Sequence, residues 1–416
     1  MESDRKKMTG KTSSGADKLL FYGVCALFFF LPVSISPLSI VEGLVLGVWV
    51  LSGRFVKDAG LVLNKLGWPV LIMMVLPWIG LLYSGDVTIG FKFAKRTDYW
   101  LFTFVVAGVM MSGFKVESFF KSYIAGVTFT SLVFLGQLAG LIYRPNKYAY
   151  GFFGTLGHIE LSQLTTLSIL LLSFYFAEPG KRWHKALCAG LMLVQFAALA
   201  MILTDAGQAA FILLSPVIVY NLLGREKRSK KLKLAFVISV LLVSALFLSP
   251  VVQSRLKEVF SDTMNYRTGH VFTPLGFHYY VWDMAVRIFK MHPLVGAGTG
   301  GYAYLMGKIK SPWLPVAVQP QNTFLYMAAS YGILGILAVI YLWAVPLSLG
   351  WKRRQTIHGF ALLAFMAILT MGSITDTQIM SHESGMLLAM FYGVVLAIGK
   401  REPLTDHLAE QTHLAA

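Results

Sequence analysis

Residues 322–347 read "NTFLYMAASYGILGILAVIYLWAVPL", a run without a single charged side chain. An α-helix needs about 20 mostly apolar residues to cross the hydrocarbon core of a bilayer. The whole chain of 416 residues shares this character, because 56% of its residues are hydrophobic and only 13% are charged. An average soluble domain carries about 25% charged residues. The sequence therefore predicts a helical protein embedded in a membrane.

Twelve candidate membrane spans follow when the rest of the chain is read in the same way. They are residues 17–36, 37–53, 67–84, 99–113, 118–142, 159–177, 184–203, 206–223, 233–252, 322–347, 356–374 and 383–399. The expected fold class is an all-α polytopic membrane protein with about 12 transmembrane helices and one large loop.

The orientation follows from the loops that are richest in Lys and Arg, which alternate along the chain as "MESDRKKMTGK", "GRFVKDAG", "PGKRWHK", "GREKRSKKLK", "GWKRRQ" and "GKRE". Cytoplasmic loops of multi-pass proteins carry an excess of these residues. Both termini are therefore expected in the cytoplasm, and the large loop in the periplasm of a bacterium. The chain divides into residues 1–252 with nine spans, the periplasmic loop 253–321, and residues 322–416 with three spans and a cytoplasmic tail. The net charge of +16 lies in these loops, which argues against nucleic-acid binding.

The large loop contains two recognisable stretches. Residues 277–291, "FHYYVWDMAVRIFKM", repeat apolar side chains at helical spacing and predict a short amphipathic helix. Asp283 and Arg287 are four residues apart on it and can pair. The next stretch, "HPLVGAGTGGY" at 292–302, has the glycine spacing of a dinucleotide-binding turn, but that motif requires a preceding strand. The sequence predicts no strand there, so a glycine-rich turn is expected instead of a nucleotide site.

The order of these motifs resembles the O-antigen ligase and polymerase family: a loop helix, "HPLVGAGTGGY", then "QPQNTFL" and "GILG" in the next span. The segment "GFFGTLGHIELSQL", residues 151–164, is similar to a second family segment. The resemblance covers about residues 150–400. It implies an inner-membrane glycosyltransferase of lipopolysaccharide biosynthesis that takes a glycan from undecaprenyl diphosphate at the periplasmic face. Ligases pass the glycan to the lipid A core, and polymerases pass it to another lipid-linked glycan. The resemblance implies no nucleotide sugar and, for ligases, no metal, so no cofactor is expected.

The chain departs from the family pattern at three positions where the family has basic residues, and Asp205, His278 and Gln321 stand there instead. The chemistry still requires a base for the attacking hydroxyl. His278 and Asp205 are the predicted catalytic residues. Further candidate bases are His158, His270 and Asp376.

A diphosphate leaving group also requires cations, which Lys and Arg supply through charge-assisted hydrogen bonds. Two outer loops break the charge trend, and they hold Lys95, Arg96, Arg144 and Lys147. These four, with Arg287 on the loop helix, are predicted to bind the donor, and the amides of Gln321 and Asn322 are predicted to orient a sugar. An alternative is that the cations contact anionic lipid headgroups.

Three other interpretations stay open: a polymerase instead of a ligase, a secondary transporter, and an inactive relative. A transporter is expected to show internal repeats and ionisable residues at mid-membrane. The two halves of this chain show no convincing repeat, and its ionisable residues cluster at the outer ends of the spans, which favours a transferase.

Overall fold

The computed structural model describes residues 14–144, 157–202, 206–223, 228–247, 250–269, 271–310 and 316–400. These residues form α-helices connected by turns and short 3-10 helices. The first helices are α1 (Gly15–Phe30), α2 (Ile35–Leu51), α3 (Arg54–Ala59), α4 (Trp68–Leu81), α5 (Val87–Ala94), α6 (Leu101–Met111), α7 (Val116–Leu138), α8 (His158–Ala177) and α9 (Arg182–Met201). They are followed by α10 (Ala206–Leu222), α11 (Arg228–Phe247), α12 (Pro250–Arg267), α13 (Pro274–Met291), α14 (Gly301–Ile309), α15 (Thr323–Lys352), α16 (Ile357–Thr375) and α17 (His382–Lys400).

A helix occupies each of the twelve predicted spans within the described residues. Six of these helices are long and apolar enough to cross a membrane by length and composition, namely α7, α8, α9, α15, α16 and α17. Three more, α2, α4 and α10, are apolar but shorter. The helical membrane protein is therefore confirmed, whereas a count of twelve crossings stays a prediction.

The loop after the ninth predicted span is more helical than expected. The sequence predicts one short helix in residues 253–321, but α12, α13 and α14 all lie there, and α12 begins at Pro250, inside the predicted span 233–252. Proline has no backbone N–H, so it cannot continue the helix that ends at Phe247 but fits the first turn of a new one. The polar sequence of α12 gives no apolar period from which the helix could be predicted.

The most deeply buried long helix is α17, in which 89% of the most apolar window is buried, compared with 22% in α9. A helix that is apolar on all sides belongs in the centre of a bundle. It packs closely on α6, where the Thr103 hydroxyl donates a hydrogen bond to the Ala389 carbonyl at 2.8 Å. A Cβ atom at Gly393 would lie 2.7 Å from the Thr103 carbonyl oxygen, so glycine is required for this approach. By contrast, α9 exposes large apolar side chains such as Leu193 and Phe196, as expected of a helix that faces lipid.

The loop helix α13 has the predicted amphipathic face. Its buried side chains are Tyr280, Val281, Met284, Ala285 and Ile288. The helix begins at Pro274, with the Thr273 side chain as its N-cap. On the exposed side, the predicted pair of Asp283 and Arg287 forms with a distance of 2.8 Å between Oδ2 and Nε. The period of 3.6 residues thus correctly identified which face of α13 packs against the rest of the protein.

The glycine-rich turn forms hydrogen bonds with the backbone of α15 on both sides of a break in that helix. Gly332 has φ 62° and interrupts the helix, so the hydrogen bonds around it cannot follow the helical pattern. The Ile333 amide donates instead to the Pro293 carbonyl at 2.9 Å, and the Ala297 amide donates to the Ala329 carbonyl at 2.9 Å. The turn and the broken helix therefore satisfy each other's backbone groups.

The glycines of this turn allow backbones to approach closely. Gly298 has φ 83°, and a Cβ atom there would lie 2.6 Å from the Gly80 carbonyl oxygen at the end of α4. Gly300 has φ 78°, and a Cβ atom there would lie 2.7 Å from the Gly90 amide nitrogen on α5. The "GAGTGG" spacing thus reflects packing of α4, α5 and α15 around one turn, in agreement with the structural interpretation of the motif.

Candidate functional site

The residues of the candidate site meet at a short connection between α16 and α17. Residues 375–380, "TDTQIM", form this connection, called the TDTQIM segment below. Thr377, Gln378 and Ile379 are fully buried, whereas Asp376 is half-buried. The segment lies at the start of the central helix α17, so it contacts several other elements at that end of the bundle.

His278 lies against the first residue of this segment. Its Nε2 atom is 3.3 Å from the Thr375 carbonyl oxygen, and the half-buried imidazole contacts the Trp282 ring edge-on, with 6.2 Å between centroids. Asp376 follows immediately and is close enough for its charge to interact with His278. Burial raises the pKa of the Asp376 carboxyl, while the Thr377 amide and the neighbouring His278 lower it. A predicted base therefore stands beside a carboxylate that can stabilise its protonated form.

Arg96 contacts the other end of the segment. The chain between α5 and α6 forms a 3-10 helix, Lys95–Trp100, from which Arg96 Nη1 donates to the Met380 carbonyl at 3.1 Å. The buried Tyr99 hydroxyl from the same short helix donates to the Ile379 carbonyl at 2.6 Å. These two bonds fix the 3-10 helix against the TDTQIM segment. Lys95, the neighbouring predicted cation, is exposed.

A small cavity lies beside Arg96. It is lined by apolar and aromatic side chains, including Trp100, Tyr326 and Ile379, and has a volume of about 20 Å³. This is room for roughly one water molecule. The cavity is therefore too small to enclose a lipid chain or a sugar in this conformation.

Asn322 reaches the segment from the start of α15, where its backbone amide donates to the Thr377 hydroxyl at 3.2 Å. The Asn322 side chain caps that helix by accepting from the Leu325 amide at 2.9 Å, and its Nδ2 donates to the Ile374 carbonyl at 2.9 Å. Gln321 has φ 49°, a left-handed conformation that is uncommon for a residue other than glycine. Its Oε1 atom is buried and makes no hydrogen bond to the described residues. Asn322 thus has a structural role, while Gln321 has a buried acceptor without a partner among the described residues.

Three further carboxylates lie nearby, on α2, α8 and α17. Glu160 in the first turn of α8 is close enough to Asp376 and to Glu383 on α17 for their charges to interact. His382, the first residue of α17, pairs with Glu42 of α2, with 2.9 Å between Nε2 and Oε1. Sequence reasoning missed Glu42 and Glu160. Each is an acid within an otherwise apolar helix, and this is a recognised signal of function in membrane proteins.

The other predicted site residues are not brought to this segment in the described part of the chain. Arg144 lies over the Phe134 ring at 5.3 Å, in a cluster that involves α7, α8 and α9. Arg287 is exposed and paired with Asp283, nine residues along α13 from His278 or about 13 Å along the axis. Asp205, Lys147 and His270 lie outside the described residues.

The fold and this site define a class: a multi-pass helical membrane protein that brings an imidazole, carboxylates and an arginine to one interhelical segment. Residues 189–340 match the O-antigen ligase family model. These residues are therefore similar to the O-antigen ligase family, which confirms the predicted resemblance and supports an activity of the ligase or polymerase type. The match includes His278, Gln321 and Asn322 but neither Arg96 nor the TDTQIM segment.

Comparisons with curated proteins and with solved structures do not assign a function. No curated protein matches the chain. A chain from a solved structure described as "Structural coordination of polymerization and crosslinking by a peptidoglycan synthase complex" matches over 81% of this chain and 97% of that chain. Their sequences are 17% identical, and the TM-score is 0.48.

Proposed function

We propose that this protein is an inner-membrane glycosyltransferase that transfers a glycan from undecaprenyl diphosphate to the lipid A core, as an O-antigen ligase. The observation that carries this proposal is the TDTQIM segment, because a candidate base, His278, and a candidate diphosphate ligand, Arg96, both contact it. The O-antigen ligase match over residues 189–340 supports the same type of chemistry.

The transfer needs one bond to form and one to break. The acceptor hydroxyl oxygen attacks the anomeric carbon of the donor glycan, and the bond from that carbon to the diphosphate oxygen breaks. The hydroxyl proton passes to His278, whose imidazolium is stabilised by Asp376. The charge left on the diphosphate is compensated by Arg96 and Lys95.

The tautomer of His278 bears on this role. When Nε2 carries the proton, it donates to the Thr375 carbonyl at 3.3 Å, and Nδ1 is then the ring nitrogen that can accept a proton. A carbonyl oxygen can only accept, so this contact requires the proton on Nε2. Asp205 is the rival base. The remaining proposed contacts of the donor or acceptor are Arg144, Lys147, Arg287, Gln321 and Asn322.

The proposal includes a topology. Residues 1–252 contain nine spans, residues 253–321 form the periplasmic loop, and residues 322–416 contain three spans and a cytoplasmic tail. In a variant without Cys25 and Cys188, a cysteine at the exposed position of Lys308 should react with an impermeant thiol reagent in intact cells. A cysteine at the exposed position of Lys230 should react only after the cells are opened. The opposite pattern would reject the orientation.

The polymerase alternative uses the same donor and passes the glycan to another lipid-linked glycan. The lipopolysaccharide of a deletion strain distinguishes the two activities. Loss of all long chains, with accumulation of free lipid-linked polymer, identifies a ligase. A core that carries a single repeat identifies a polymerase, and unchanged glycans would reject both and favour a transporter or an inactive relative.

A further inference from the structure

A chain of buried hydrogen bonds stands behind Asp376. The Ser384 hydroxyl of α17 donates to Gln378 Oε1 at 2.6 Å, and Gln378 Nε2 donates to Asp376 Oδ2 at 3.3 Å. The other carboxylate oxygen, Oδ1, accepts from the Thr377 amide at 2.7 Å. Both oxygens of Asp376 are therefore held by groups of the same connection.

The orientation of the Gln378 amide is set by Ser384. A glutamine amide has one oxygen that accepts and one nitrogen that donates. Because Ser384 donates to the oxygen, the nitrogen must face Asp376. Gln378 is 0% exposed and Ser384 is 6% exposed, so bulk water cannot replace this bond. Without Ser384, the amide is free to rotate and present its oxygen to the carboxylate, which would repel it.

The charges around Asp376 make this support necessary. Glu160 on α8 is close enough to Asp376 and to Glu383 on α17 for their like charges to interact. His278 on α13 acts with the opposite sign. Neighbouring carboxylates and burial favour the neutral acid, whereas hydrogen bonds donated to the carboxylate favour the charged form. The Gln378 bond therefore helps to keep Asp376 charged beside His278.

We infer that Gln378 and Ser384 are positioning residues, which orient Asp376 so that its carboxylate stabilises the His278 imidazolium during transfer. This inference rests on the proposed function. Neither residue contacts the substrate in this inference. Ser384 acts through Gln378, and Gln378 acts through Asp376. Together they extend the functional site to the first turn of α17, beyond the residues that match the O-antigen ligase family.

The decisive variant is Ser384→Ala, which removes one hydroxyl and keeps the volume of the site. Ser384→Thr keeps the hydroxyl. Ser373→Ala is the matched control. Ser373 lies at the end of α16 that leads into the TDTQIM segment, is fully buried, and its hydroxyl makes no hydrogen bond within the described residues. Glycan transfer is measured in membranes with lipid-linked donor, as kcat and KM at a series of pH values, and normalised to protein abundance.

We expect Ser384→Ala to lower kcat by about tenfold, the effect of weakening one hydrogen bond to a charged group, with KM unchanged. The acid limb of the pH profile should also move to higher pH. Proton binding at either His278 or Asp376 removes the active form of the pair, and a less supported Asp376 binds its proton more readily. Ser384→Thr should restore both properties, and Ser373→Ala should behave as wild type.

A second variant, Gln378→Glu, preserves the side-chain shape but places another carboxylate beside Asp376. It should move the acid limb further in the same direction. A wild-type kcat and pH profile in both Ser384→Ala and Gln378→Glu would overturn the inference alone, as would equal losses in Ser384→Ala and Ser373→Ala. Absence of transfer in wild-type membranes would overturn the proposed function and the inference together.

Discussion

The two ends of the helical bundle differ in the residues that lie beside their carboxylates. At one end, Arg54 of α3 pairs with Asp17 of α1 and with Asp58, whose side chain is only 1% exposed. At the other end, the residues beside the carboxylates are histidines. His382 pairs with Glu42, and His278 stands beside Asp376.

This difference separates a permanent contact from one that can exchange a proton. Arginine remains charged at any physiological pH, and its guanidinium bonds several acceptors at once. Arg54 also donates to the Ser112 hydroxyl and to the Gly108 carbonyl, each at 2.9 Å, which fixes α3 to the end of α6. Histidine gains and loses its proton near neutral pH. The Arg54 end is therefore suited to holding the fold, and the His278 end to chemistry.

The largest effect is expected from His278→Ala. Loss of a general base typically lowers a rate by about 10²–10⁴, so glycan transfer in membranes should fall by that factor while protein abundance stays normal. The matched control is His292→Ala at the exposed end of the same helix, which should transfer at the wild-type rate.

The rival base is tested in the same assay with Asp205→Asn. Near-normal transfer by His278→Ala, together with loss in Asp205→Asn, would move the role of base to Asp205. Normal transfer by both variants would leave the His278 end without a catalytic function and remove the contrast between the two ends.

The next effect is on stability, at the other end. Arg54→Met leaves the buried Asp58 without its cation, and breaking a buried ion pair typically costs about 3–5 kcal/mol. The thermal midpoint in detergent should fall strongly, while transfer per folded molecule is preserved. The control is Arg354→Met, since Arg354 is exposed over the Trp351 ring at 5.0 Å. Equal midpoints for the two variants would show that the Arg54 cluster does not hold the fold.

A smaller effect is expected from the outer cations. Arg96→Gln removes a charge that contacts the TDTQIM segment, and it should lower transfer by about tenfold, the effect of one charge-assisted hydrogen bond. Arg144→Gln should have less effect, because Arg144 lies on Phe134 in another cluster. If the double variant transfers glycan at the wild-type rate, the donor is bound elsewhere.

Local patterns predicted much of this fold. The buried face of α13 follows from a period of 3.6 residues, and the ion pair of Asp283 and Arg287 follows from a spacing of four. The break in α15 at Gly332 could not be predicted, because it depends on the bond between Ile333 and Pro293 in another element. The predicted span through this position is a continuous apolar run, which gives no sign of a break.

The candidate site could be predicted only in part, for the same reason. The residue types were identifiable because cations and imidazoles are rare in the outer segments. Their meeting point was not, since Arg96, His278 and the TDTQIM segment are far apart in sequence and are joined by tertiary contacts. Hydrophobic periodicity assigns a face to each helix but does not determine which loops meet at the end of a bundle.

The smallest effect concerns the stability contribution of Asp376. Burial is the largest influence on this carboxyl and raises its pKa above the ordinary value, which is about 3.9. Between the ordinary and the raised value, the folded state binds more protons than the unfolded state, so stability falls as pH rises through that window and stays lower above it. The stability of the wild type relative to Asp376→Asn should therefore decrease from acidic to neutral pH, even if the new amide adds a constant offset through its contact with Gln378.

Thermal midpoints of both proteins in detergent, measured across acidic to neutral pH, give this slope. The matched variant is Asp58→Asn at the other end, where loss of the Arg54 partner should destabilise the protein at neutral pH. A wild type that gains stability over Asp376→Asn as pH rises would show that the Asp376 carboxylate is stabilised in the fold, as Asp58 is by Arg54. The carboxylates of the two ends would then be alike, and the contrast between the ends would rest only on the histidine at one end and the arginine at the other.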